Sequence, residues 1–296
     1  MQWRKTRLAL LATCALVAAL AAGASAITLA EADAAWTARS EGADEARAES
    51  ERVSTLVAEH VALLDADPED LGRRWRLLRA LHFAGDFGAA TPAAARTSFD
   101  RAREVSEAGL AALAASVAEL DPDDASPEAW ARALAGAGRY TRTDLARVYF
   151  WSAINWGAWS RSEGLLATVR QGVANRLERY ARITLALEPA YESGGAYRLL
   201  GRLHGALPRV PLISGWVDRD RALPLLDEAR AVDAEHPGNR LLTALTLLDL
   251  APDRRDEALA LLEAVAASEL RDDMRVEHAA IRREARAALE EQRNPS

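Results

Sequence analysis

The chain has 296 residues, 50% of them apolar, and a formal net charge of −7. That apolar share excludes an intrinsically disordered chain. The acidic balance argues against nucleic acid or an anionic membrane surface as the main partner.

Alanine, leucine, arginine and glutamate dominate, which favours helix. No run shows the sustained Val, Ile and Thr alternation of a strand. Lys5 is the single lysine, so every other cation is an arginine.

The N-terminus reads as a secretion signal. Arg4, Lys5 and Arg7 precede the apolar run Leu8 to Leu20, and Ala24-Ser25-Ala26 forms an A-x-A cleavage site. Residues 1–26 are thus expected to be removed, leaving 27–296 as one periplasmic domain. An uncleaved anchor is the alternative, and it would be the chain's only membrane contact. Lipidation of Cys14 fits poorly, because Thr13 precedes it. Removing the signal takes away Cys14, the only cysteine, so disulfide and thiol chemistry are not expected.

In chain order, residues 27–45 predict a short or frayed helix and 44–64 a longer one. Pro68 is placed to open the next helix, which carries Trp75, Leu78 and His82. Gly85 to Gly88 predicts a turn. Thr91-Pro92 opens a long helix to about Leu120, and Ser126-Pro127 a short one around Trp130. Thr143-Asp144 opens the most aromatic helix, ARVYFWSAINWGAWS. Leu165 to Leu187 reads as one further helix.

The stretch Tyr191 to Asp220 follows. Tyr197, Leu200, Gly201 and His204 have the spacing of a tetratricopeptide helix A, and Ala222, Leu226 and Ala229 that of its helix B. About nine extra residues, rich in Pro, Val, Leu, Ile and Trp, sit between the two. Such an apolar loop is expected to be buried or to form an interface. Pro224 demands that the second helix start late enough to keep it in the first turn. Helices over 239–250, 253–268 and 271–292 complete the chain. Acid-Pro or His-Pro pairs close helices at irregular intervals. The expected fold is therefore all-α, an irregular tetratricopeptide-like α/α stack, solenoid-like rather than a strict repeat array.

The segments YFWSAINWGAWS (149–160) and GGAYRLLGRLHGALPRVPLISGWVDRDRAL (194–223), with Asn239-Arg240-Leu241 later, resemble the T-component family of tripartite ATP-independent periplasmic (TRAP) transporters. The resemblance covers roughly residues 45–270. It implies a helical periplasmic protein that associates with the solute-binding P component. It also implies a homo-oligomer with a pore or cleft able to hold a ligand.

Candidate site residues follow from the same segments. Trp151, Asn155 and Trp159 share one helix face, and Trp156 lies on another. A buried Asn155 amide needs partners: either neighbouring backbone such as the 208–216 loop, or a ligand. Arg198 and Arg202, four apart, repel one another and call for acids, from Glu188, Glu192, Asp218 and Asp220 or from an organic acid. Tyr197, Arg209, Ile213 and Trp216 complete the set, with the loop and the aromatic helix expected to form one cleft or contact surface. His204 is expected to be a packed core histidine. No metal-ligand spacing, nucleophile elbow or phosphate loop occurs, so no cofactor and no enzyme activity are expected. A general envelope scaffold for protein–protein interaction is the alternative function.

Overall fold

A computed structural model describes residues 27–293. The segment expected to be a secretion signal lies outside the described residues. No described helix is long and apolar enough to cross a membrane. The all-α expectation holds: thirteen α-helices and no strand occur among the described residues.

Helix α1 spans Leu29–Thr37 and opens on a reciprocal capping box between Thr28 and Glu31. Helices α2 (Ser50–Ala66) and α3 (Leu71–Phe83) follow. Asp70, not Pro68, starts α3, because its carboxylate accepts the Arg73 N–H that the first turn leaves free. The glycine-bearing turn is a π-helical segment, Ala84–Gly88. Helix α4 (Pro92–Ser116) is capped by Thr91, and α5 (Pro127–Gly136) by Ser126. The aromatic helix α6 runs Arg142–Ser162, with Thr141 rather than Thr143 as its cap. The single helix expected over 165–187 is two. Gly172, at φ 61°, separates α7 (Leu165–Arg170) from α8 (Val173–Leu187).

Helix α9 spans Tyr191–Ala206 but begins abnormally. Glu192, Ser193 and Gly194 have φ of 49°, 54° and 77°, a left-handed turn before the right-handed helix resumes. The loop 207–217 then leads to α10 (Ala222–Val232), which places Pro224 in the first turn as required. Helices α11 (Pro237–Leu250), α12 (Arg255–Ala267) and α13 (Arg275–Arg293) finish the fold.

Most helices pack on their sequence neighbours. Helix α6 packs against α3, α4 and α8 at once. Its aromatic residues therefore point into core on several sides, and they join the largest apolar cluster. A second cluster holds α11–α13 together. A third joins Val53, Leu56 and Phe83 of the N-terminal helices to Val276 of α13, so the last helix folds back onto the first ones. Beside Val276, the Arg39 side chain donates to Glu277 Oε1 at 3.0 and 2.8 Å. Arg39 is 4% exposed, so this ion pair is largely withdrawn from water.

The contact between α9 and α10 requires glycine. A Cβ on Gly201 would stand 2.7 Å from Leu226 Cγ and 3.0 Å from the Ala222 carbonyl oxygen. Gly201→Val is therefore expected to cost about 1–3 kcal/mol through overpacking. Gly136→Ala, at a position with open space around it, serves as the neutral control. Equal melting temperatures for the two variants would contradict this packing. Arg39→Met strands a buried carboxylate and is expected to cost about 3–5 kcal/mol. An unchanged urea midpoint would show that the ion pair does not hold the ends together.

Candidate functional site: a central arginine-lined cleft

Where α13 returns to the N-terminal helices, a cleft of about 970 Å³ remains. Its walls come from distant parts of the chain: Trp36 and Arg39, Arg79 and His82 of α3, Trp151 and Arg161 of α6, the start of α9, His236 before α11, and the 271–284 region. The volume falls in the upper range of small-molecule sites.

The charges in the wall are unevenly satisfied. Arg161 donates to both Asp86 carboxylate oxygens, at 2.9 and 3.0 Å. Arg271 pairs with Asp273 at 2.9 Å and lies 3.6 Å from Asp233. Arg39 is held by Glu277, whose carboxyl burial pushes above the usual carboxylate range. Arg79 and Arg198 differ. The carboxylate nearest to Arg79 is Asp33, at 3.9 Å. Arg76 already occupies that group through bonds of 2.7 and 2.8 Å. The Arg79 guanidinium instead stacks on Trp36 at 3.9 Å and Trp75 at 4.8 Å, and its Nε is buried without a partner. Arg198 donates to Asn239 Oδ1 at 2.6 Å and to the carbonyl oxygens of Glu192 and Ser193 at 3.3–3.5 Å. Burial pushes both guanidinium groups down to about 10. Among the described residues, neither has a carboxylate of its own in close contact.

The left-handed turn explains how Arg198 is held. It aims the Glu192 and Ser193 carbonyls back at the guanidinium. The Asn239 amide locks the turn by donating to the carbonyls of Ser193, Ala229 and Asp233 at 3.0, 2.8 and 2.9 Å. Ser193 Oγ also donates to Asp233 at 2.9 Å. Two non-glycine residues at positive φ cost on the order of 1–2 kcal/mol each. That strain persists because Asn239, itself fully buried, over-determines the turn.

Of the ten residues singled out in the sequence, Trp151, Arg198 and Arg202 line this cleft. Trp151 donates its indole N–H to Tyr191 Oη at 2.8 Å. Arg202 pairs with Asp249 at 3.3 Å, a partner outside the four acids expected for it. The aromatic helix and the 208–216 loop do not form one cleft. Asn155 is fully buried and donates to the carbonyls of Leu78 and Trp151 at 2.9 and 2.8 Å, not to the loop. It ties α6 to α3. Trp156 is also fully buried, between the guanidinium groups of Arg103 and Arg176, at 4.4 and 4.7 Å. Trp159 donates to Asp100 at 2.9 Å and belongs to the core. Tyr197 is half-buried and off the cleft wall.

The loop is a separate feature, half anchored and half projecting. Trp216 packs on the core and donates to Asn175 at 2.8 Å, and Val217 is buried. Ser214 Oγ donates to the Pro208 carbonyl at 2.6 Å and accepts the Val210 N–H. Arg209 Nε donates to the Gly215 carbonyl at 3.1 Å. From this braced base Leu212 stands fully exposed at φ 67°, beside Ile213 at 38% exposure. His204 is buried, with Nδ1 accepting the Asp218 N–H at 3.0 Å, and so fixes the loop's exit.

Sequence reading missed Trp36, Arg39, Arg79, His236 and Glu277. They lie far apart in the chain and belong to no motif. Only the unusual concentration of arginine beside tryptophan in Arg74, Trp75, Arg76 and Arg79 hinted at a stacked guanidinium.

Burial pushes all five histidines below their ordinary range, His236 to about 3. A histidine with a depressed folded value binds fewer protons than it does when unfolded. Its stabilisation is present above the unfolded value near 6.5 and is lost as the pH falls. Buried Glu277 acts in the opposite sense, so the His236 share is isolated by substitution. Stability is expected to fall between pH 6.5 and 5, by up to about 1.4 kcal/mol per pH unit for His236. His236→Asn, which keeps a capping side chain, is expected to flatten the dependence. Urea midpoints with the same pH slope in both proteins would contradict this.

In comparison with known proteins, no family model and no curated sequence matches the chain.

Proposed function

We propose that the protein is a non-enzymatic, exported accessory component of a TRAP-type transporter. In this reading it docks the solute-binding P component through the 210–213 loop tip and holds an anionic solute in the central cleft. The observation that carries the reading is the pair Arg79 and Arg198. Both are guanidinium groups of the cleft wall, desolvated enough to depress their basicity; among the described residues Arg198 has no carboxylate in ion-pair contact, and Arg79 has only Asp33, at 3.9 Å and already held by Arg76. A buried cation without its own counter-ion favours an anionic guest. The indoles of Trp36 and Trp151 supply an apolar surface for the body of that guest.

The loop supports the docking half. A fully exposed leucine held in a left-handed conformation on a braced base is a strained feature with no role in the core, and such strain collects at functional sites. The motif resemblance supplies the partner class. Self-association and a periplasmic address belong to the same reading.

Leu212→Asp is expected to weaken binding of the P component by about tenfold or more while circular dichroism stays unchanged, since truncating an interface anchor costs roughly 2 kcal/mol. The measurement is calorimetry between the purified full chain and a TRAP-type solute-binding protein from the same organism. Undiminished affinity would remove the loop tip from the interface. No binding by the unsubstituted protein would favour the general scaffold reading.

A further inference from the structure

A second cavity, of about 550 Å³, opens away from the cleft, between α4, α5 and α8. Its deep wall is made of rings. Trp130, Tyr149 and Tyr180 are 1%, 3% and 8% exposed. The Trp130 indole N–H donates to Tyr149 Oη at 2.6 Å, and the Tyr149 and Tyr180 rings meet edge to face with centroids 5.6 Å apart. The Trp130 and Tyr149 polar tips thus satisfy one another, and the three rings reach the cavity only through small exposed patches, the largest on Tyr180. Leu110 and Ala114 of α4 close the other side.

The rim is basic. Arg170, Arg176 and Arg179 line it, against one exposed carboxylate, Asp123. Glu107 also stands near Tyr180, but its carboxylate lies 3.8 Å from Arg103. None of these three arginines makes an ion pair among the described residues. They are unlike Arg182, one turn along α8, which carries Glu128 and Glu178 at 2.8 and 3.0 Å. Arg179 is committed to the backbone carbonyls of Ala125 and Pro122. Arg176 is not committed in the same way. Its Nε donates to the Gln171 carbonyl at 3.0 Å and its Nη1 reaches Tyr180 Oη only at 3.5 Å. Its plane lies over Trp156, 4.7 Å from the ring centroid. This fixes a planar fork at the rim of an aromatic pocket, with no carboxylate in ion-pair contact among the described residues.

We infer that this pocket is a binding site for a planar aromatic carboxylate of one or two rings. The ring system packs over Leu110 and Ala114 and against the exposed patches of Tyr149 and Tyr180, where edge-to-face contacts favour a flat aromatic body. The carboxylate meets Arg176, whose fork matches it geometrically, and Arg170 adds long-range attraction. The site is independent of the transporter reading and of the cleft, since no residue lines both cavities.

The test is calorimetric titration of the full chain with 2-naphthoate and with the neutral 2-naphthalenemethanol. The carboxylate is expected to bind one molecule per chain and the alcohol about tenfold more weakly, the loss of one charge-assisted hydrogen bond. Ala114→Phe, which fills the pocket from a half-exposed position, and Arg176→Gln are each expected to lower naphthoate affinity by about tenfold or more. Arg198→Lys in the cleft is expected to leave it unchanged. Should Ala114→Phe lose helical circular dichroism, Ala111→Leu, at an exposed position on the same wall, replaces it. Equal affinity for acid and alcohol, no binding of naphthoate at millimolar concentration, or loss on Arg198→Lys but not on pocket filling would each overturn the assignment.

Discussion

The cleft exists because the two ends of the described chain are held together. Arg39 follows the first helix and Glu277 lies in the last, and their contact is drawn largely out of water. A pair of this kind adds little net stability over apolar side chains of equal volume. What it contributes is definition, since either charge left alone would be costly to bury. Val276, packed beside it against Val53, Leu56 and Phe83, supplies the apolar part of the same seam. Helices that otherwise contact mainly their neighbours in sequence are thereby bent around an enclosed space.

Aromatic and guanidinium groups tie the helices to one another. The indole N–H groups of Trp75, Trp130, Trp151, Trp159 and Trp216 each donate to a side chain on another helix or loop. Trp156 is gripped on its faces by arginines instead. Arginine stacks well on indole because its charge is spread over a plane and is weakly hydrated, which a lysine ammonium is not. Among the described residues, where every basic side chain except histidine is an arginine, the same residue type serves as surface charge, as core partner to tryptophan and as cleft wall.

The left-handed turn at 192–194 connects the packing to the cleft chemistry. Gly194 is needed there for a second reason besides its positive φ, because a Cβ would meet the Ala229 backbone at 3.0 Å. The close approach of α9 and α10 and the presentation of Arg198 are therefore one feature. Asn239 joins them. Its amide satisfies carbonyls from the turn and from the end of α10, and its oxygen receives the Arg198 guanidinium. A polar residue buried this deeply is tolerable because its donors and its acceptor are all occupied.

Local chemistry in the sequence determined the helical class, several helix starts and the position of the apolar loop. Thr91 and Ser126 act as caps as their side chains allow, and Pro224 falls in a first turn. The aromatic helix was legible as buried on several sides. Its function was not, because periodicity tells which residues face inward without telling whether they face a cavity or another helix. Asn155 and Trp156 met Leu78 and Arg103, partners more than fifty positions away. The break at Gly172 and the left-handed residues Glu192 and Ser193 were equally hidden, since no propensity signal marks a conformation enforced from outside by Asn239. The cleft itself was decided only by the tertiary structure. Its arginines are unremarkable in sequence, and they become a site only when Arg39 and Glu277 bring the two ends of the described chain into contact.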